Sequence, residues 1–228
     1  MYLSHRYVGS QVSARTARDG TTFHATPSEA TMSIDQNADP AATDENLRPN
    51  LVVLIFGSAA VGLVSAATLP WPDAAASTVL GALMIAGADV DMRIFLLPDI
   101  VTGGAALSGL VAASALDPFD PLASFAIAAA GALLVGGGLW LVRWAYARLR
   151  HREGIGLGDV KLAAAIGAWL PLDVVPICLT LATSAALIAV LIARWRGEPI
   201  ERTARIPLGA FLCPALWLTY YSTRLLRG

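Results

Sequence analysis

Charge is scarce in this chain: Asp, Glu, Lys and Arg together make up 14% of its 228 residues, against about 25% in a soluble globular protein. Many of those charges sit in the first fifty residues or in short clusters, so the rest is poorer still. The hydrophobic share of 56% points to a membrane. Metal-binding side chains are equally thin. The only cysteines, Cys178 and Cys213, lie in apolar segments, and neither has a second Cys or a His at ligand spacing. A disulfide between them stays open on sequence, with buried free thiols the simpler reading. His5, His24 and His151 are scattered, and only His151 lies near a membrane boundary, so no Ser–His or Cys–His pair is apparent. The formal net charge of −1 says little about partners. No cofactor, metal or nucleic-acid partner is expected.

Residues 1–49 are polar, rich in Ser, Thr, Asp and Ala, and lack both periodicity and the apolar core of a signal peptide. They read as a disordered cytoplasmic tail, or as an over-extended start with Met32 as the alternative first residue. Residues 50–228 read as one membrane-embedded domain. Apolar runs cover Leu51 to about Pro70, Ala74 to Ala88, the stretch after Pro98-Asp99 to Ala115, and Leu122 to Tyr146. Further runs cover Asp159 to Leu170, Val174 to Ala193 and Pro207 to Tyr221. Lipid admits only helices or closed barrels, and unbroken runs without alternation exclude a barrel. The expected fold is therefore all-α, a polytopic transmembrane helix bundle of six or seven spans. The Asp159 segment is the awkward one. Twelve helical residues rise only about 18 Å, short of a hydrocarbon core of roughly 30 Å, so this helix must sit deep, tilt little, or borrow residues from Ile155 to Gly158.

Arg93, then Arg143, Arg148, Arg150, Arg152 and Lys161, then Arg194, Arg196, Arg202 and Arg205 mark alternate connections. The intervening loops carry Asp73, Asp117, Asp120 and Asp173 with no Lys or Arg. The positive-inside rule therefore puts the Arg-bearing loops in the cytoplasm, with Arg224 and Arg227 on the wrong side of that scheme. Gly103, Gly104, Gly109 and the run Gly136–Gly138 read as plain bundle packing.

The acidic residues are the chemical signal. Asp89, Asp91 and Asp99 bracket an apolar stretch at the cytoplasmic end of the second span, and Asp159 closes Gly156-Leu157-Gly158-Asp159. Ionisable groups in membrane helices are expensive and suggest function. Asp159 and Asp99 could equally cap the helices they begin. Two carboxyls in a low-dielectric site cannot both ionise easily, so one keeps a proton. Such a pair can act as base toward water and acid toward a leaving amine. Gly156 and Gly158 would let a substrate backbone pass close to Asp159.

The order DMRIFLLPD (91–99), GIGLGDVKL (154–162), RIPLGAF (205–211) resembles that of bacterial type IV prepilin peptidases, over about residues 75–225. The resemblance implies an aspartyl endopeptidase with Asp91, eight positions before the Asp of Pro98-Asp99, and Asp159 as its catalytic pair. Asp99 is then a structural or site-shaping residue, as are Gly156, Gly158 and Lys161, the last heading the Lys161-Leu162 that members often have. Asp89 is off the family's spacing and reads as a helper or bystander. The resemblance also implies a prepilin or pseudopilin substrate, its basic leader cut at the cytoplasmic face of the bacterial inner membrane, usually just after a Gly. Longer members carry a four-cysteine segment and methylate the new N-terminus. This chain lacks those cysteines, so it looks more like the short peptidases of Flp or tight-adherence pili, and methylation is not expected of it.

Two other readings compete. Presenilin-like proteases also use Gly-x-Gly-Asp, and Pro214-Ala215-Leu216 supplies their late string, but Asp91 follows Val90 where they have Tyr. A proton- or ion-coupled transporter also builds sites from acids and short helices, though both aspartates here lie at one face and no internal repeat is apparent.

Overall fold

The computed structural model describes residues 49–150, 156–196 and 207–227. Among them are seven helices and no strand. These are α1 (Leu51–Thr68), α2 (Asp73–Ile94), α3 (Asp99–Ala115), α4 (Pro121–Arg150), α5 (Leu157–Trp169), α6 (Val175–Trp195) and α7 (Leu208–Arg227). α1, α2, α4 and α6 are long and apolar enough to cross a bilayer, and α3 is a shorter apolar helix. The all-α membrane bundle expected from the sequence is what the chain forms. The expected polar tail, apart from Pro49, lies outside the described residues, as do Arg152, Arg202 and Arg205.

Local chemistry sets most boundaries. Asn50 caps α1, its side chain accepting from the Val52 N–H at 3.0 Å. Asp120 accepts from the Ala123 N–H at 2.9 Å, with Pro121 at the first helical position where its missing N–H costs nothing. Pro98 precedes α3 and Pro171 follows α5, each where a ring ends a helical path. Two helices outrun the apolar pattern. α4 reaches Arg150 rather than stopping near Tyr146, and α2 continues past Ala88 to Ile94. Hydropathy fades there because charges begin, but the backbone continues because those charges find partners. Asp89 and Arg93 pair one turn apart at 2.7 Å, and Asp89 also accepts the Asn50 N–H at 2.8 Å, tying the start of α1 to the end of α2.

α5 is the central helix, flanked by α3, α4 and α7. From Leu162 to Trp169 every residue except Ala164 is buried. That resolves its shortness: a helix walled by protein has no lipid thickness to match. It also borrows Leu157 and Gly158 ahead of Asp159. Small residues let α4 come against it backbone to backbone. Gly131 lies directly on Gly167, and a Cβ at Gly136 would stand 2.7 Å from that of Ala164. Gly109 of α3 makes room for Trp169, whose indole N–H donates to the Ala105 carbonyl at 2.7 Å. Trp169 stands edge-on to Tyr220 of α7, centroids 4.9 Å apart. Gly103, Gly137 and Gly138 have no neighbour within 4 Å of a Cβ position, so packing accounts for only part of the glycine pattern. Cys178 and Cys213 are both free and buried, as the simpler reading had it.

α1 joins the bundle through α2, where Ser65 and Ser77 hydroxyls lie 2.9 Å apart and the Trp217 indole N–H donates to Ser77 at 3.1 Å. Ser65, Ser77 and Trp217 thus partner one another on that apolar seam, where a buried polar group left unpaired costs about 1–3 kcal/mol; the Ser58 hydroxyl of α1 is buried without such a partner.

Candidate active site

Asp91 is buried on the last turns of α2, its residue 4% exposed. Its Oδ2 accepts the Ala210 backbone N–H at 2.7 Å, 119 residues away in sequence. Gly209 and Ala210 lie in the first turn of α7, where backbone N–H groups have no partner within the helix. The carboxylate supplies that partner, and the positive end of the helix dipole favours its charge. Gly209 is required for the approach, since a Cβ there would lie 2.9 Å from Asp91 Oδ2 and 2.6 Å from Leu97 Cδ1.

Asp159 is the third residue of α5, after Gly156 at the N-cap. It is therefore not itself the N-cap. Its carboxyl turns back toward the Gly156 backbone, the reach a third-position acid makes in a capping box. Asp159 and Asp91 lie within Coulombic range of each other, and the Cys213 thiol lies within range of both. The two aspartates that the sequence singled out thus both face the junction where α2, α5 and α7 meet around Leu97, and Cys213 is buried nearby. Cys213 packs in turn at Gly87, one turn before Asp91, where a Cβ would meet its Sγ at 3.1 Å.

Leu97 had no assigned role in the sequence, yet it joins these parts. Its side chain fills the space beside Gly87 of α2, Gly158 of α5 and Gly209 of α7, at 3.5, 3.0 and 2.6 Å from the three Cβ positions. The Cβ side of Gly158 is therefore taken by Leu97, while the residue stays partly exposed. Gly156 is exposed, and a Cβ there would meet only Asp159 Oδ2 at 3.5 Å and Gly158 N at 3.9 Å. Of the two glycines beside Asp159, Gly156 is the more open. The chain reaches Leu97 through Phe95, which ends α2 at φ 56°. That left-handed conformation is uncommon for a bulky residue, and it turns the backbone sharply enough for α3 to start four residues later.

Asp99 begins α3 without a side-chain capping bond. It pairs with Lys161 of α5 at 2.6 Å, linking the starts of the two helices at the rim. Both side chains are well exposed, so the pair adds about 0–1 kcal/mol of stability and its use is geometric. Lys161 is the only lysine in the chain. Asp89, held by Arg93 and Asn50, faces α1.

Asp159 also lines a cavity of about 630 Å³ between α5 and α6, closed by Leu139 of α4 and by Leu208 and Leu212 of α7, whose walls are otherwise apolar but for Thr183. Among the described residues no three His, Cys, Asp or Glu side chains cluster as a metal site. What remains is a buried carboxylate held by N–H donors, a second carboxyl beside it, and an apolar cleft opening at the second. Such a pair can share one proton and handle water and an amide together.

A model of the type IV leader peptidase family matches residues 78–192. That stretch holds Asp91, Leu97, Asp99 and Asp159 and leaves out Gly209 and Ala210. The chain is 35% identical over 164 residues to a prepilin leader peptidase/N-methyltransferase of Burkholderia pseudomallei (strain 1026b), covering 71% of this chain and 50% of that protein. It is 39% identical over 119 residues to one from Dickeya chrysanthemi, covering 50% and 41%. With leader peptidase HopD of Escherichia coli it shares 38% identity over 126 residues, 55% of this chain and 78% of that one. The chain spans about half the length of the Burkholderia protein. No solved structure matches it.

Proposed function

Because this chain belongs to the type IV leader peptidase family, we propose that it is a membrane aspartyl endopeptidase that removes the basic leader of prepilins or pseudopilins, with Asp91 and Asp159 as its catalytic pair. The observation that carries this reading is that Leu97 packs against both Gly158, next to Asp159, and Gly209, which lies against Asp91, so that the two carboxyls are gathered at one junction of α2, α5 and α7. In this mechanism the pair shares one proton. The ionised carboxyl takes a proton from water as the water attacks the scissile carbonyl. The protonated one hydrogen-bonds the carbonyl oxygen and, as the tetrahedral intermediate breaks down, the pair returns a proton to the leaving amine. The Ala210 N–H fixes Asp91, so that one member is positioned before substrate arrives.

We read the reaction as taking place at the cytoplasmic face of the inner membrane, and the arrangement of the helix ends supports this. Asp91 ends α2 and meets the start of α7, while Asp99 starts α3 and meets the start of α5. All these termini therefore share one end of the bundle, together with Arg143, Arg148 and Arg150 of α4 and Arg194 of α6. Positive residues favour the cytoplasm. Arg224, the exception in the sequence pattern, is paired with Asp73 at 3.4 Å and lies over the Tyr220 ring, so its charge is locally offset. The match to leader peptidase HopD over 78% of that protein's length supports the peptidase activity; the assignment to a short peptidase of the Flp or tight-adherence kind is our reading of the sequence.

The test is leader removal in detergent. Purified protein mixed with a prepilin from the same genome should release the leader, seen by gel and mass spectrometry. No cleavage of any cognate prepilin, with proton-driven uptake in sealed vesicles instead, would contradict the peptidase reading.

A further inference from the structure

The cavity beside Asp159 has a shape that the catalytic pair alone does not explain. α6 makes its main contacts with α7, leaving a trough between α6 and α5. Its wall on α5 runs Asp159, Ala163, Ile166, one helical face over about 10 Å. On α6 it runs from Leu179 to Val190, again one face, over about 16 Å. The floor is made of alanines, with Ala163, Ala182 and Ala186 buried, and the rim of leucines, with Leu179, Leu187 and Leu208 exposed. The Thr183 hydroxyl is occupied, donating to the Leu179 carbonyl of its own helix at 2.8 Å. Asp159 is the only ionisable group in the lining, and it stands at the end where α5 begins.

We infer that this trough receives the first turns of the substrate's own apolar helix, the segment immediately after the scissile bond, entering sideways from the bilayer. This rests on the peptidase reading and adds to it a subsite and a direction of entry. A groove with a small-residue floor, large-residue rim and length of about three helical turns accepts one face of a helix. The carboxyl at its head lies where the peptide bond preceding such a helix would sit. Continuity with the proposed catalytic pair selects this occupant: the trough is headed by Asp159, so a helix lying in it sets the bond before its first turn at that carboxyl.

The test uses the full chain in membranes with a cognate prepilin, after showing that the wild type cleaves it. A photo-crosslinking phenylalanine analogue at Leu187 should capture the substrate within its apolar segment at least about tenfold more than one at Val111, on the lipid-exposed face of α3. Ala186→Phe, which fills the floor, should raise KM about tenfold while kcat changes little. Equal capture at the two positions, lipid adducts alone at Leu187 while cleavage proceeds, or an unchanged KM in a folded Ala186→Phe variant would each overturn the subsite and leave the peptidase standing. A wild type that cleaves nothing would bring down both.

Discussion

Gly209 holds the tightest tolerance in the site, because its missing side chain is what admits both Asp91 and Leu97. A valine there must push one of them away. Gly209→Val should lower leader cleavage by about a hundredfold, since a shift of about 1 Å in a catalytic group costs that much, while the protein still purifies as a folded monodisperse species. Activity within threefold of wild type, measured by initial rates in detergent, would show that Asp91 does not need this contact. At this scale the sequence was legible where chemistry is costly. Asp91 and Asp159 stood out because a membrane helix carries a carboxyl only for a reason. Leu97 was invisible, since a leucine in the apolar string 94–97 gives no local sign of three glycines gathering round it from three helices. Cys213 likewise reads only as a buried thiol, because its packing at Gly87, one turn before Asp91, is made by tertiary contacts. The Ile206-Pro207-Leu208-Gly209 string was noticed, but nothing in one dimension said that the N–H groups after its proline would hold Asp91.

The glycines divide the helices into seams and open faces. Gly131 lies on Gly167 where α4 crosses α5, whereas Gly137, on the same helix, faces open space. Gly131→Leu should therefore lower the detergent unfolding temperature, overpacking costing about 1–3 kcal/mol or more. Gly137→Ala should leave that temperature unchanged or raise it, because alanine is the better helix former by up to about 1 kcal/mol. Equal effects in a thermal scan would contradict the seam. Helix existence was readable throughout from apolar runs and prolines. Helix ends were readable where a cap marks them, as at Asn50 and Asp120, and misread at the end of α2, where the Asp89–Arg93 pair carries the helix beyond its apolar segment. The glycine run looked uniform in sequence, but helical period sends Gly136 against Ala164 and turns Gly137 and Gly138 away.

Across the whole molecule, the end carrying the proposed catalytic pair is also the basic end, and the far end carries Asp117 and Asp120. Asp117 is held below the usual carboxylate range by the Ser124 hydroxyl and by the N–H groups of Phe119 and Asp120, so that loop stays anionic throughout the physiological range. The orientation can be checked directly because Cys178 and Cys213 are buried and give little background. A cysteine at Phe119, 96% exposed in the α3–α4 loop, should react with an impermeant maleimide in intact cells with a permeabilised outer membrane. One at Trp195, also 96% exposed at the basic end, should react only after the inner membrane is opened. The reverse pattern would place the catalytic end outside. Bundle class was foreseeable, since bilayer thickness acts on the sequence directly. The central position of α5 was only half foreseeable. Its length demanded shelter, but which helices provide it depends on small-residue contacts that sequence does not pair.

The most direct test of the catalytic claim is a double-mutant cycle on leader cleavage with Asp91→Asn, Asp159→Asn and the two combined. If the carboxyls share one proton and act as a unit, each single change should abolish cleavage, by about a thousandfold or more, and the combined variant should be no worse than either. Partial single losses that multiply in the combined variant, or cleavage surviving either substitution, would mean that Asp91 and Asp159 are not a catalytic pair.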